Sequence, residues 1–154
     1  MSLSIKVVPY TDPVSVALIE AALADLSERY GGDGDSTPVD PAQFTPPQGE
    51  FLVAWLDGRP VGCGAWRTYH GDPGVAEVKR MYTVPEARGR GVALALLRAL
   101  EEAARQAGRK RIVLETGNRQ PEAIALYLKA GYARIPDFGH YRDEPGVRSY
   151  GKQL

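Results

Sequence analysis

Two rhythms of apolar residues run through this chain. Ser4 to Tyr10 is rich in β-branched residues and reads as a strand. Thr11-Asp12-Pro13 supplies a cap and a first-turn proline. Val14, Ala17, Leu18, Ala21, Ala22, Leu26 and Tyr30 then recur at helical spacing until Gly31-Gly32. Residues 31–49 hold Gly, Pro and Asp without periodicity and are expected to form a long connection. Three strands follow as a meander: Glu50 to Leu56, Arg59 to His70 and Val75 to Val84. Asp57-Gly58 and Gly71-Asp72-Pro73-Gly74 separate them as turns.

From Val92 to Ala107 one helical face carries Ala93, Leu96, Leu97, Leu100, Ala103, Ala104 and Ala107, and Gly108 ends it. Arg111 to Thr116 reads as a short strand. Pro121 opens a helix that runs through Glu122 to Ala130 and stops at Gly131. Two further strands are predicted, Tyr132 to Ile135 and Arg148 to Leu154. The order predicts an α/β (α+β) protein with a mixed sheet. The unit from Val75 to Thr116 should be a crossover between parallel strands. No linker or internal repeat divides the chain, so residues 1–154 are expected to form one domain.

Composition narrows this picture only a little. Formal net charge is +0, which argues against a general nucleic-acid binder. No apolar run reaches the roughly 20 residues of a membrane span. Met1 to Lys6 lacks the apolar stretch of a signal peptide, and a cytoplasmic setting is expected. The single cysteine, Cys63, fits a strand core and leaves no internal disulfide or cysteine-rich metal site; no metal is expected. His70 and His140 fall in loops and read as surface residues. Charge is unevenly spread: residues 77–111 hold nine basic and four acidic side chains. That excess suits a ligand with several phosphates.

The chemistry concentrates at Arg88-Gly89-Arg90-Gly91-Val92-Ala93, between a strand and a long apolar-periodic helix face. The first N–H groups of a helix lack internal partners, and its dipole favours an anion there. Glycine lets the backbone close around such an anion. Charge-assisted bonds from backbone N–H groups contribute roughly 1.5–3 kcal/mol each, more than the dipole's about 0.3–2 kcal/mol. A plain glycine-tolerant turn is the alternative. A P-loop requires Gly-x-x-x-x-Gly-Lys-Ser/Thr, which is absent, and a dinucleotide fingerprint requires a third glycine where Leu94 stands.

Arg88-x-x-Gly91-x-Ala93 matches the acyl-CoA pyrophosphate loop of the GNAT N-acetyltransferase family. The stretch from Glu77 to Ala93 resembles the family's strand, loop and helix around that motif. Ala123 to Tyr132 resembles its second signature, and the element order agrees over nearly the whole chain. The resemblance implies a mostly antiparallel sheet of six or seven strands flanked by helices. It implies acetyl-CoA as cosubstrate, and a small-molecule or peptide amine as acceptor. Met81, Tyr82 and Thr83 should offer backbone groups to the pantetheine arm, in a gap left where two strands splay. Arg88, Gly89, Arg90, Gly91, Val92 and Ala93 should hold the pyrophosphate, and Asn118 resembles an asparagine that contacts CoA. Similar proteins often dimerise, and the C-terminal strand is a possible contact, though nothing in the residues requires it.

Acetyl transfer to an amine of pKa ~10 requires a base, and departure of a thiolate (thiol pKa ~8.5) is eased by an acid. Glu77, on the strand leading to the loop, is the base candidate. Its plainer reading is a solvent-facing carboxylate paired with Lys79 on the same strand face. Tyr127 occupies the position of the tyrosine that protonates the thiolate in similar enzymes. Its plainer reading is an aromatic packed with Ile124 and Leu128. Asp33, Asp35, Asp40 and Glu50 in the long connection could attract a cationic amine, or simply be solvated. An acyl-CoA-sensing module without turnover, and a nucleotide-binding enzyme using the same loop, are the competing classes.

Overall fold

The computed structural model describes residues 2–154; Met1 of the expected domain lies outside the described residues. Seven strands form one mixed sheet. They are β1 (Leu3–Val7), β2 (Gly49–Leu56), β3 (Arg59–Thr68), β4 (Val75–Thr83), β5 (Arg111–Gly117), β6 (Ala133–Arg134) and β7 (Val147–Gln153). The helices are α1 (Pro13–Tyr30), α2 (Val92–Gln106) and α3 (Pro121–Lys129). The spatial order is β1-β2-β3-β4-β5-β7-β6. Only β4 and β5 pair in parallel, joined by the α2 crossover, and every other neighbouring pair is antiparallel.

The sheet is covered on both faces, which is why β2 is buried along nearly its whole length rather than at alternate residues. On one face Leu52, Ala54 and Leu56 meet the α2 stripe of Leu96, Leu97, Leu100 and Ala104. On the other, Phe51 and Val53 meet Leu18 and Ile19 of α1. Gly62 and Gly64 set the depth of α2. A Cβ on Gly64 would lie 2.6 Å from Met81 Sδ and 2.9 Å from Leu100 Cδ1. The helix therefore sits closer to β3 than side chains there would allow.

The sequence reading holds for every major element, with shifts at the ends. The first strand stops at Val7, because the chain turns at Pro9 into the Asp12 cap, whose carboxylate accepts from the Val14 N–H. Residues 31–48 are not wholly irregular: Pro41–Phe44 form one 3₁₀ turn capped by Asp40. Phe44 is buried there and stacks on Tyr10 at 4.9 Å. A single turn is too short to show periodicity.

Candidate active site

The β4–β5 ladder is brief. Val75, Ala76 and Glu77 pair with Arg111, Ile112 and Val113, and the strands then separate. This is the splay that the resemblance implied. The fork opens into a cavity of about 570 Å³ lined by β4 from Val78 to Tyr82 and β5 from Leu114 to Gly117. Part of α1, Asp35, residues 118–120, Tyr127, Tyr141 and residues 144–147 also line it.

Along the fork β4 carries a bulge. Against β3, Cys63 faces Tyr82 and Ala65 faces Lys79, so Arg80 and Met81 together oppose Gly64. Arg80 has φ +63°, a left-handed conformation that non-glycine residues seldom adopt. Three contacts hold it. The Cys63 thiol donates to the Arg80 carbonyl at 3.1 Å, the Arg80 guanidinium reaches Asp35 Oδ2 at 2.8 Å, and it also approaches the Tyr10 hydroxyl. Cys63 is thus a core residue, as expected, and it also satisfies a carbonyl that the bulge turns out of the ladder. Burial pushes its thiol up to about 12, so it is no nucleophile at neutral pH.

Asp35 is the charge hub of the cavity wall. Lys79 Nζ lies 3.0 Å from the Oδ2 that Arg80 also reaches. Oδ1 accepts from Thr37 N–H and Oγ1, and from the Tyr141 hydroxyl at 2.8 Å. Burial alone would raise its carboxyl; Lys79 and the Thr37 bonds outweigh that and hold it well below the usual carboxylate range. The acidic residues of the long connection are therefore not a free anionic patch. Asp35 is neutralised by two cations and Asp40 caps the 3₁₀ turn, while Asp33 is exposed.

Met81, Tyr82, Asn118 and Tyr127 line the cavity together. Tyr127 is buried, with ring centroids 5.8 Å from Tyr132 and 6.4 Å from Tyr150. Burial raises its phenol to about 12, so it keeps its proton at neutral pH. It does not pack on Leu128, which is 53% exposed on the far side of α3. The loop Arg88–Ala93 is not in the cavity wall. It stands beyond the end of β4, where Gly91 (φ +80°) caps α2 in the left-handed region. Val92 is a core residue of the first turn, and Ala93 is partly buried. The Arg88 side chain folds back: its Nε donates to the Thr83 carbonyl at 3.0 Å, and its guanidinium lies 3.7 Å from Asp25. Asp25 is itself on the cavity wall, so the loop and the cavity meet along α1.

Glu77 is buried and does not face solvent. Its partner is Arg67 of β3, with Nε 3.0 Å from Oε1, rather than Lys79, which Asp35 takes. Register explains this: Glu77 pairs directly with Arg67 across β3–β4, a cross-strand contact that a one-strand reading cannot show. Glu77 is not in the cavity lining. Glu115, which sequence reasoning passed over, is. The available signal was a lone carboxylate in the otherwise apolar run Ile112-Val113-Leu114 and the residue after it. His70 and His140 are exposed, and His140 Nε2 meets Ser36 Oγ at 3.1 Å.

The mouth of the cavity is braced between α1 and the turn after β5. Arg29 donates to the Arg119 carbonyl at 2.9 Å, and Arg119 returns a bond to the Arg29 carbonyl at 2.8 Å. Tyr30 accepts from the Arg119 N–H.

The Acetyltransferase (GNAT) family pattern matches residues 19–132, which span the whole fork, the loop and α3. An "IAA acetyltransferase" of Azospirillum brasilense is 39% identical over 137 residues, covering 89% of this chain and 88% of the relative. An uncharacterized N-acetyltransferase of Escherichia coli K12, YjgM, is 32% identical over 76% of this chain and 75% of its own length. A solved structure from Klebsiella pneumoniae subsp. pneumoniae MGH 78578, assigned as an acyl-CoA N-acyltransferase, superposes with a TM-score of 0.82 at 35% identity, over 99% of this chain and 97% of that one. A Staphylococcus aureus Mu50 structure of the GNAT family shares the fold at 17% identity, with a TM-score of 0.77. Sequence, element order and the forked sheet agree: this chain belongs to the GNAT acetyltransferase family.

Proposed function

We propose that this acetyltransferase moves an acetyl group from acetyl-CoA to a primary amine by direct attack in a ternary complex. The observation that carries the reading is the fork. Beyond Glu77 the β4 backbone faces a cavity instead of a strand, and Tyr127 closes the same cavity from α3. Unpaired strand groups are suited to an extended chain lying between β4 and β5, as the pantetheine arm would. Met81 and Tyr82, which line the cavity, support the reading of them as its backbone partners; Thr83 stands outside the lining, and its carbonyl accepts from Arg88.

The diphosphate falls to the N–H groups of Arg88–Ala93, where Gly89 and Gly91 both take left-handed φ and α2 begins. Asn118 lines the cavity, which supports its reading as a CoA contact. A backbone N–H of the β4 bulge polarises the thioester carbonyl. The amine's proton goes to a carboxylate at the fork, where Glu77 and Glu115 both stand. Tyr127, kept protonated by burial, gives its proton to the departing thiolate.

The test is release of CoA thiol from acetyl-CoA with a panel of primary amines, beside calorimetric acetyl-CoA binding. Tyr127→Phe should lower kcat about 10²-fold or more while binding stays within a factor of a few. Binding without transfer to any amine would instead identify an acyl-CoA sensor on the same fold.

A further inference from the structure

Glu115 sits two residues into the fork, because Val113 is the last β5 residue paired to β4. Alternation puts its side chain on the same side of β5 as that of Val113. Its two oxygens are differently treated. Oε2 accepts from the Tyr141 backbone N–H at 3.1 Å. Oε1 is out of solvent and has no hydrogen-bond partner among the described residues. A buried polar atom left in this state costs about 1–3 kcal/mol, so its persistence asks for a function.

The surroundings favour a proton acceptor. Burial pushes the Glu115 carboxyl above its ordinary range, and the nearby Glu77 and Asp35 charges push the same way. The Tyr141 N–H and Lys79 oppose them. A base of raised pKa is better matched to neutral pH. Glu77 is placed otherwise, since one of its oxygens is held by Arg67 and it does not line the cavity.

The segment from Gly139 to Tyr141 seats this carboxylate. A Cβ at Gly139 would collide with Glu115 Oε1 and Cδ. Tyr141 is fixed in turn, since its hydroxyl donates to Asp35 and accepts from the Ser36 N–H at 2.6 Å. The groups facing Glu115 are thus Glu77 and Lys79 from β4, Asp35 from the connection after α1, and Tyr141 from the segment before β7.

We infer that Glu115 is the base of the reaction, taking the acceptor's proton on its carboxylate, with Gly139 and Tyr141 as positioning residues. This rests on the transferase reading above. The ammonium gives one proton to the Glu115 carboxylate and keeps the electron pair. That pair forms the C–N bond to the acyl carbon as the C–S bond breaks. The thiolate takes a proton from Tyr127. The nitrogen's second surplus proton restores the tyrosine through solvent, and Glu115 returns its own proton to solvent.

Acetylation of benzylamine, spermidine and a lysine-containing peptide, followed from mildly acidic to mildly alkaline pH, tests this. Glu115→Gln should lower kcat/KM for the amine about 10²-fold or more at neutral pH and remove the acidic limb of the profile. Its rate should then climb with pH as free amine accumulates, while acetyl-CoA affinity stays within about threefold of wild type. Gly139→Ala displaces the carboxylate without removing it, and should move the acidic limb even if Glu115→Gln folds poorly. Glu115→Gln with its acidic limb intact, or Gly139→Ala with an unmoved limb, overturns the assignment alone. A wild-type protein that acetylates none of the three amines overturns the transferase reading, and this assignment with it.

Discussion

Replacing Asp35 with asparagine should be among the most destabilising single-atom changes available in this protein. The carboxylate is the shared partner of two cations whose side chains are only 9% (Lys79) and 6% (Arg80) exposed, at 3.0 and 2.8 Å. Removing one member of a buried ion pair typically costs about 3–5 kcal/mol, because the other charge is left uncompensated. Here two charges are left, so the upper part of that range is expected. For a chain of this length about 1 kcal/mol moves Tm by ~2–4 °C, which gives a fall of roughly 10–20 °C. Urea unfolding of both proteins at several pH values is the assay.

The pH dependence has a fixed sign. Asp35 is depressed in the folded state, so its stabilisation is fully present above the unfolded carboxylate value of about 4 and is lost as pH falls through the lower folded value. The gap between wild type and Asp35→Asn should therefore be full at neutral pH and narrow progressively below about pH 4. A gap under about 1 kcal/mol at neutral pH, or one that widens on acidification, would refute the account of Asp35 as the hub holding Lys79 and Arg80.

Two further outcomes are expected. Cys63→Ala should cost about 1–3 kcal/mol, since it leaves the Arg80 carbonyl without its donor, and Cys63→Ser should recover part of that loss. In the wild-type protein Cys63 should react with a thiol reagent only at the rate of unfolding, as its burial and raised thiol require; rapid labelling of the folded protein would contradict this. Gly91→Val introduces a β-branched side chain at φ +80° with open space around it, so the penalty is conformational, roughly 1–2 kcal/mol. Calorimetry should show acetyl-CoA binding about tenfold weaker. Unchanged affinity would remove the loop from the diphosphate site.

The α2 helix was legible because its apolar stripe is long and its cap glycine stands in sequence beside it. The β4–β5 fork was legible only through the resemblance, since nothing in the composition of Val78–Thr83 says that it lacks a neighbour. The partner of Glu77 was not legible at all. Alternation along β4 offers Lys79, but the register with β3 brings Arg67. Asp35 could be named as an acid, yet its two cations come from a strand more than forty residues later. Glu115 escaped notice because its significance lies in a missing hydrogen bond and in Gly139, which is distant in sequence. What a sequence withholds in these cases is pairing, a property of two segments at once.

The fork also bears on which strand edges of the sheet stand open. An open strand edge ordinarily recruits other strands and leads to aggregation. The free edge of β4 beyond Glu77 lies inside the molecule, beneath α1 and beside Tyr127, and the Arg29–Arg119 brace ties its roof to the turn after β5. A strand belonging to another sheet arrives with neighbours spaced about 4.8 Å on either side and cannot enter such a slot. A single extended chain can. The slot therefore works as a gauge of width, admitting a linear molecule to the same backbone groups that it denies to a second protein.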